Sequence, residues 1–229
     1  MTRRPTPHPA GSPATLAVCA LALLALSGCH NPFMPAEAQP PATDTGTIQV
    51  ATDYATREGT LTTIAEAIFA KAQGNGQSAY LGAFADTSVD EFGFTVVFDP
   101  DVFAERTQAG KTIPIWNRSY ESAFYRYLFT IASPTSEAQY SLKWTSDGVD
   151  DVDEGAGVAT LYRQYEVKKD DDTIAFGHAT LTMRRTAPTS RWLITHWEDH
   201  VDAAYGPDPP PDKAGFRSFS RLRIDSTGQ

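Results

Sequence analysis

The chain has 229 residues, with 28 acidic against 19 basic side chains and a formal charge of −9. That balance excludes nucleic acid as a partner, because phosphate contacts need a basic face. Its two cysteines are Cys19 and Cys29, so everything after Cys29 lacks a disulfide, a cysteine nucleophile and a thiolate metal site.

Arg3 and Arg4 precede an apolar run, Leu16 to Gly28, that ends in small residues. This is the order of a secretory signal, too short and wrongly flanked for a stop-transfer helix, so residues 1–28 read as a signal peptide. Leu26-Ser27-Gly28-Cys29 resembles the lipobox of bacterial lipoproteins. The resemblance implies a diacylglyceryl group on Cys29, cleavage after Gly28 and acylation of the new amino terminus. Several acyl chains hold a protein stably where one chain is marginal, so the implied partner is a lipid bilayer reached through Cys29. His30 stands where an aspartate would favour inner-membrane retention. The expected location is therefore the bacterial cell envelope, at the outer membrane, with the domain in the periplasm or on the surface. Losing Arg3 and Arg4 with the signal takes the formal charge from −9 to −11, which leaves anchoring to the lipid rather than to headgroup attraction.

Residues 29–46 hold the lipid site and a proline-rich stretch that reads as a flexible tether. The folded domain is expected over 47–205 and a tail over 206–229. Thr60 or Gly59 is positioned to cap a helix in which Leu61, Ile64 and Ile68 form one stripe, ended by Gly74-Asn75-Gly76. A second helix is expected near 77–86. Phe92, Phe94, Val96 and Phe98 then alternate as a short strand stopped at Asp99-Pro100. Residues 101–115 read as a loop or partial helix. The best helix follows, capped by Asn117 or Ser119, with Glu121 suiting its first turn. Tyr120, Phe124, Tyr127, Leu128 and Ile131 make its aromatic face, and Ser133-Pro134 ends it.

Tyr140, Leu142 and Trp144 alternate again, and an acidic loop, Asp147 to Gly155, leads to three long strands between Val158 and Asp199. Ala159, Leu161, Arg163, Tyr165 and Val167 share one face of the first strand; Ala179, Leu181 and Met183 share one face of the second. Period-two alternation with short polar breaks predicts three antiparallel neighbours packed on one side. In the third, Trp192, Ile194 and His196 share one face and Trp197 and Asp199 the other, unless a bulge intervenes. Leu222 and Ile224 are placed for a last edge strand, or the tail stays loose.

This order of elements resembles the nuclear transport factor 2-like (SnoaL-like, cystatin-like α+β) superfamily. Cys29 to Pro35, Trp116, and the closing Trp192, Ile194, Trp197 and Asp199 are similar to a group of uncharacterised bacterial lipoproteins within it. The resemblance implies an α+β fold in which a strongly curved antiparallel sheet wraps a long helix as a cone, with two further N-terminal helices. The lining expected for that cone is Tyr125, Tyr127, Trp144, Tyr162 or Tyr165, His178, and His196 or Trp197 according to register. Such a surface suits a small apolar or aromatic ligand.

Acid–base chemistry would need a histidine beside a carboxylate, and the candidates are His196 with Asp199, and His178. Adjacent strand residues point to opposite faces, which argues against the first pair and leans the reading away from an enzyme. His178, His196 and His200 lack the close pairing of a zinc site. The acidic run around Asp147 departs from a calcium loop in spacing, so neither metal nor cofactor is expected. Three readings stand: an envelope-anchored, non-catalytic binding domain, a protein-association module that forms a homodimer, and an isomerase or hydro-lyase using a His/Asp pair.

Overall fold

The computed structural model describes residues 48–71, 73–130, 138–187, 189–200 and 218–227. Expectations for the signal peptide, Cys29 and its tether, Ile131, Ser133-Pro134 and residues 201–217 lie outside these.

Helix α1 spans Arg57–Ala70 and is capped by Thr56, ahead of the expected Gly59 or Thr60: the Thr56 hydroxyl accepts from Gly59 N at 2.9 Å. Thr60 instead turns inward and donates to Trp192 O at 2.9 Å, while Leu61, Ile64 and Ile68 fill the core. Helix α2 is Gly76–Gly82. The next strand is shorter than its alternation suggests, β1 at Thr95–Val97. Where a loop or partial helix was expected, α3 forms at Pro100–Gln108, with Asp99 as its cap and Pro100 at the first helical position. Helix α4, Arg118–Thr130, is capped by the Asn117 side chain, which accepts from Ser119 N and Tyr120 N.

Strands β2 (Tyr140–Ser146), β3 (Asp151–Asp153), β4 (Val158–Lys169), β5 (Asp172–Arg185) and β6 (Trp192–His200) complete the sheet. β4, β5 and β6 are antiparallel neighbours as their alternation predicts, and β2 and β3 both pair along β4. The buried face of β4 carries Ala159, Leu161, Arg163, Tyr165 and Val167. Tyr165 lies opposite Gly177, where an added Cβ would stand 2.6 Å from the Tyr165 hydroxyl and from His200 O. Glycine is what lets that ring cross β5.

The cone is a correction. The sheet is open and mixed, in the order β1-β6-β5-β4-β2, and is neither closed nor strongly curled. β1 runs parallel to β6, with Thr95 opposite His196, so the sheet is not purely antiparallel. Nor does the sheet wrap the best helix. α1 is the long helix that meets β2 and β6, whereas α4 packs against α2 and the C-terminal helix α5, Phe219–Asp225. The physical reason lies at the two ends. Residues 83–85 bond to Ile194 along the first half of β6, and β1 covers the second half, so among the described residues no strand brings the ends together.

Two local features set the interior. Thr182 faces His196 and Met183 faces Ile194, leaving Thr195 as an extra residue in β6. This bulge changes the phase of the strand, so Trp192 and Ile194 point inward before it and Trp197 and Asp199 point inward after it. The second feature is α5 itself. Residues expected as an edge strand form a helix capped by Ser218, whose hydroxyl accepts from Arg221 N at 3.2 Å. Phe219, Leu222, Arg223 and Ile224 are all buried.

Candidate functional site

α5 lies against α4 and the inward face of β5, and two buried polar groups receive it. The first is Asp199, wholly buried at the end of β6 because the bulge turns it inward. Tyr165 donates its hydroxyl to Asp199 Oδ1 at 2.7 Å, and Ser220 N donates to Oδ2 at 2.5 Å. Phe219 N in turn donates to the Tyr165 oxygen at 2.9 Å. Burial raises the Asp199 carboxyl above the ordinary aspartate range, against the opposing pull of Ser220, Arg223 and Tyr165. Burial also drives the Tyr165 phenol well above its usual value, and the neighbouring Asp199 charge adds to this.

The second is Glu121, in the first turn of α4 and also wholly buried. Its Oε1 accepts from Tyr80 Oη at 2.5 Å and from Arg223 Nη2 at 2.9 Å. Its Oε2 accepts from Trp116 Nε1 at 2.6 Å and from Arg223 Nε at 2.9 Å. The pair is a two-pronged, fully desolvated ion pair. Burial opposes the Arg223 charge, but Glu121 outweighs it and holds the guanidinium above its ordinary value. The guanidinium carbon sits 4.3 Å from the Trp197 ring centre, 5.3 Å from that of Phe219 and 5.6 Å from that of Phe124. Phe219 packs 4.7 Å from the Tyr165 ring and 5.0 Å from Trp197.

Of the residues named from sequence, Trp144, Tyr165, Trp197 and Asp199 come together here. Trp144, half-buried, donates to Leu61 O at 3.2 Å and lies 5.6 Å from the Trp197 ring. Tyr125 is buried beside Tyr80, its ring 4.6 Å away and its hydroxyl bonded to Ala67 O and Lys71 O. Tyr162, His178 and His196 are on the other face of the sheet. Tyr162 is exposed there; His178 Nδ1 lies 2.5 Å from Asp147 Oδ2, and His196 Nδ1 lies 2.9 Å from Thr95 Oγ1. Neither histidine shares a face with Asp199. Glu121, Arg223, Tyr80 and Trp116 were not singled out from sequence as members of a site. Glu121 read as a first-turn residue serving the helix dipole. Arg223 interrupts the apolar pattern of α5. Among the described residues no cluster of three or more His, Cys, Asp or Glu side chains is placed to hold a metal ion.

Chemically, the site holds two engaged carboxyl groups rather than a free acid and base. Both Asp199 oxygens and both Glu121 oxygens are engaged by groups of this chain. The raised Asp199 value has a measurable consequence. In the fold this carboxyl holds its proton more readily than in the unfolded chain. Its stabilisation is therefore full below the ordinary aspartate value of about 3.9 and is lost as pH rises through the folded value. Urea unfolding at pH 4, 5, 6 and 7 is expected to show wild type losing stability with rising pH relative to Asp199→Asn. A constant gap across that range contradicts the assignment.

No protein-family model matches the sequence, and no curated protein matches it. Solved structures are similar in fold at low superposition scores. An NTF-2-like protein of unknown function from Shewanella oneidensis is 16% identical, covers 62% of this chain and 93% of its own, and has a TM-score of 0.41. A function-unknown protein from Mycobacterium tuberculosis is 12% identical over 75% of this chain and 89% of its own, with a TM-score of 0.43. The beta subunit of a benzoate 1,2-dioxygenase from Burkholderia mallei is 12% identical over 70% of this chain and 97% of its own, at 0.44. At these identities the likeness is one of fold alone.

Proposed function

We propose that this is a lipid-anchored protein of the bacterial envelope whose folded part, an NTF2-like domain, is a non-catalytic binding module. The ligand space is the aromatic compartment bounded by α4, β4, β5 and β6, which in this structure holds α5. The observation that carries the reading is the state of the two interior carboxylates. Each is wholly buried and each is fully engaged by groups of this chain, an arrangement that holds an occupant and leaves no free base. The wall around them is aromatic, from Phe124, Trp144, Tyr165 and Trp197. Such a surface supplies area and a few fixed donors, which suits a flat ligand.

Native mass spectrometry of the full-length protein, incubated with envelope lipids, quinones and aromatic metabolites, tests this. The expected result is a retained small molecule that Trp144→Ala releases. A turnover assay whose rate collapses in His196→Ala, with the protein still folded, would replace the binding reading with an enzyme.

The anchoring part rests on the lipobox resemblance at Leu26 to Cys29. Among the described residues no helix is long and apolar enough to cross a membrane, so in this reading attachment is through Cys29. Cys29→Ser is expected to move the protein from the membrane fraction to the soluble envelope fraction. Mass analysis of the native protein that finds no lipid on Cys29 removes the anchor from the reading.

A second reading has its own observation. The outward face of β4 to β6 carries Tyr162, Gln164, His178, Thr180 and His196, and these remain partly or fully exposed. That face suits association with a second copy. Light scattering across a concentration series is expected to reveal a dimer if this reading holds, and a monomer at all concentrations dismisses it.

A further inference from the structure

We propose that the compartment around Glu121 is a binding site for a ligand with a planar guanidinium or amidinium head on an aromatic body, and that α5 occupies it as a built-in competitor. The inference rests on the binding reading above and names its ligand class.

The argument starts from Glu121. Two of its four donors, Tyr80 Oη and Trp116 Nε1, are neutral and belong to the body of the domain. The other two, Arg223 Nε and Nη2, come from a seven-residue helix at the end of the chain. Without that helix the Glu121 carboxylate keeps only neutral protein partners and loses the cation that balances its charge. The site therefore selects a cation. A compact ammonium is a point charge with no fixed fork, whereas a guanidinium or amidinium presents two parallel N–H groups to the two oxygens.

The walls specify the rest. The Arg223 guanidinium lies over Trp197 at 4.3 Å, on an aromatic face where a flat cation is favoured. Beside it, the Phe219 ring fills the space between Tyr165 and Trp197, with its centre 5.3 Å from the guanidinium carbon. Arg223 and Phe219 together make a cation joined to an aromatic ring, and they outline the ligand.

The fit of α5 is incomplete in an informative way. Trp197 Nε1 and Arg223 Nη1 are buried and have no hydrogen-bond partner among the described residues. Buried donors in native interiors are ordinarily paired, so these two orphans show that α5 fits the compartment imperfectly. Trp197 belongs to the body of the domain, and its indole N–H stays unmet with α5 in place.

Benzamidine, a ring bearing an amidinium, is the probe, and benzamide is its neutral counterpart. With the full chain, millimolar benzamidine is expected to raise amide hydrogen exchange over 219–225 while β4 to β6 stay protected. Benzamide is expected to leave exchange unchanged. Arg223→Ala removes the competing head, so tryptophan fluorescence titration should show at least tenfold tighter benzamidine binding than wild type. Arg223→Lys keeps the charge but loses the fork; should the Ala variant not fold, it must also bind benzamidine more tightly than wild type. Equal binding of benzamide and benzamidine overturns the cationic class and leaves the binding reading standing. Unchanged exchange over 219–225, together with no gain in Arg223→Lys, overturns the inference whatever ligand native mass spectrometry retains.

Discussion

Arg223→Met is expected to lower the melting temperature more than any other single change on α5. It leaves Glu121 buried with no cation, and breaking one side of a buried pair costs about 3–5 kcal/mol. At about 2–4 °C per kcal/mol for a domain of this size, the loss is roughly 6–20 °C. Adding Glu121→Gln to Arg223→Met is expected to restore part of it. Both charges are then gone, and Gln keeps an acceptor oxygen for the Tyr80 hydroxyl or the Trp116 indole. Thermal melts of the single and double variants check this. A double variant no more stable than Arg223→Met would mean that packing of the arginine stem, and not the ion pair, holds α5.

Inserting one alanine between His196 and Trp197 is expected to prevent native packing altogether. β6 alternates after its bulge, so the added residue takes the inward place and Trp197 and Asp199 turn outward. Losing a buried tryptophan alone costs about 3–5 kcal/mol. The hydrogen bonds from Tyr165 and Ser220 to Asp199 go with it. The expected result is loss of the near-ultraviolet circular dichroism signal and of a cooperative melt. By contrast, deleting Thr195 removes the bulge but leaves Ile194 opposite Met183 and His196 opposite Thr182, so Trp197 and Asp199 keep their facing and the variant is expected to fold. An insertion variant that melts like wild type would show that β6 reaches the same facing another way.

These two sites also show where the sequence was readable. The runs of β4 and β5 alternate without interruption, so period two identified their buried faces and their pairing. Asn117 sits directly before α4, and a capping side chain is a local signal that needs no tertiary knowledge. β6 was harder because both of its phases carry large apolar residues, Trp192 and Ile194 in one, Trp197 in the other. That conflict is itself the sign of a bulge, and it left His196 and Trp197 as alternatives. α5 was hidden because Leu222 and Ile224 are two apart and suggest a strand. Its helical spacing runs through Phe219, Leu222 and Arg223, and an arginine does not read as buried. The open sheet was not legible because β1 is three residues long and its partner is about a hundred residues away. The buried role of Glu121 was equally invisible, since its cation is 102 positions further on.

That long separation bears on when the molecule can fold. Nearly everything else in the domain has been made by the time His200 is complete, yet Glu121 and Asp199 still await Arg223 and Ser220. Closing contacts between distant parts of a chain is slow, because loop entropy is lost before the contact repays it. Here the delay has a second cause, since the interior carries two uncompensated acids until the last turn of helix arrives. A chain made only as far as His200 therefore lacks the partners that Arg223 and Ser220 bring to these two acids, and α5 completes the interior after the sheet.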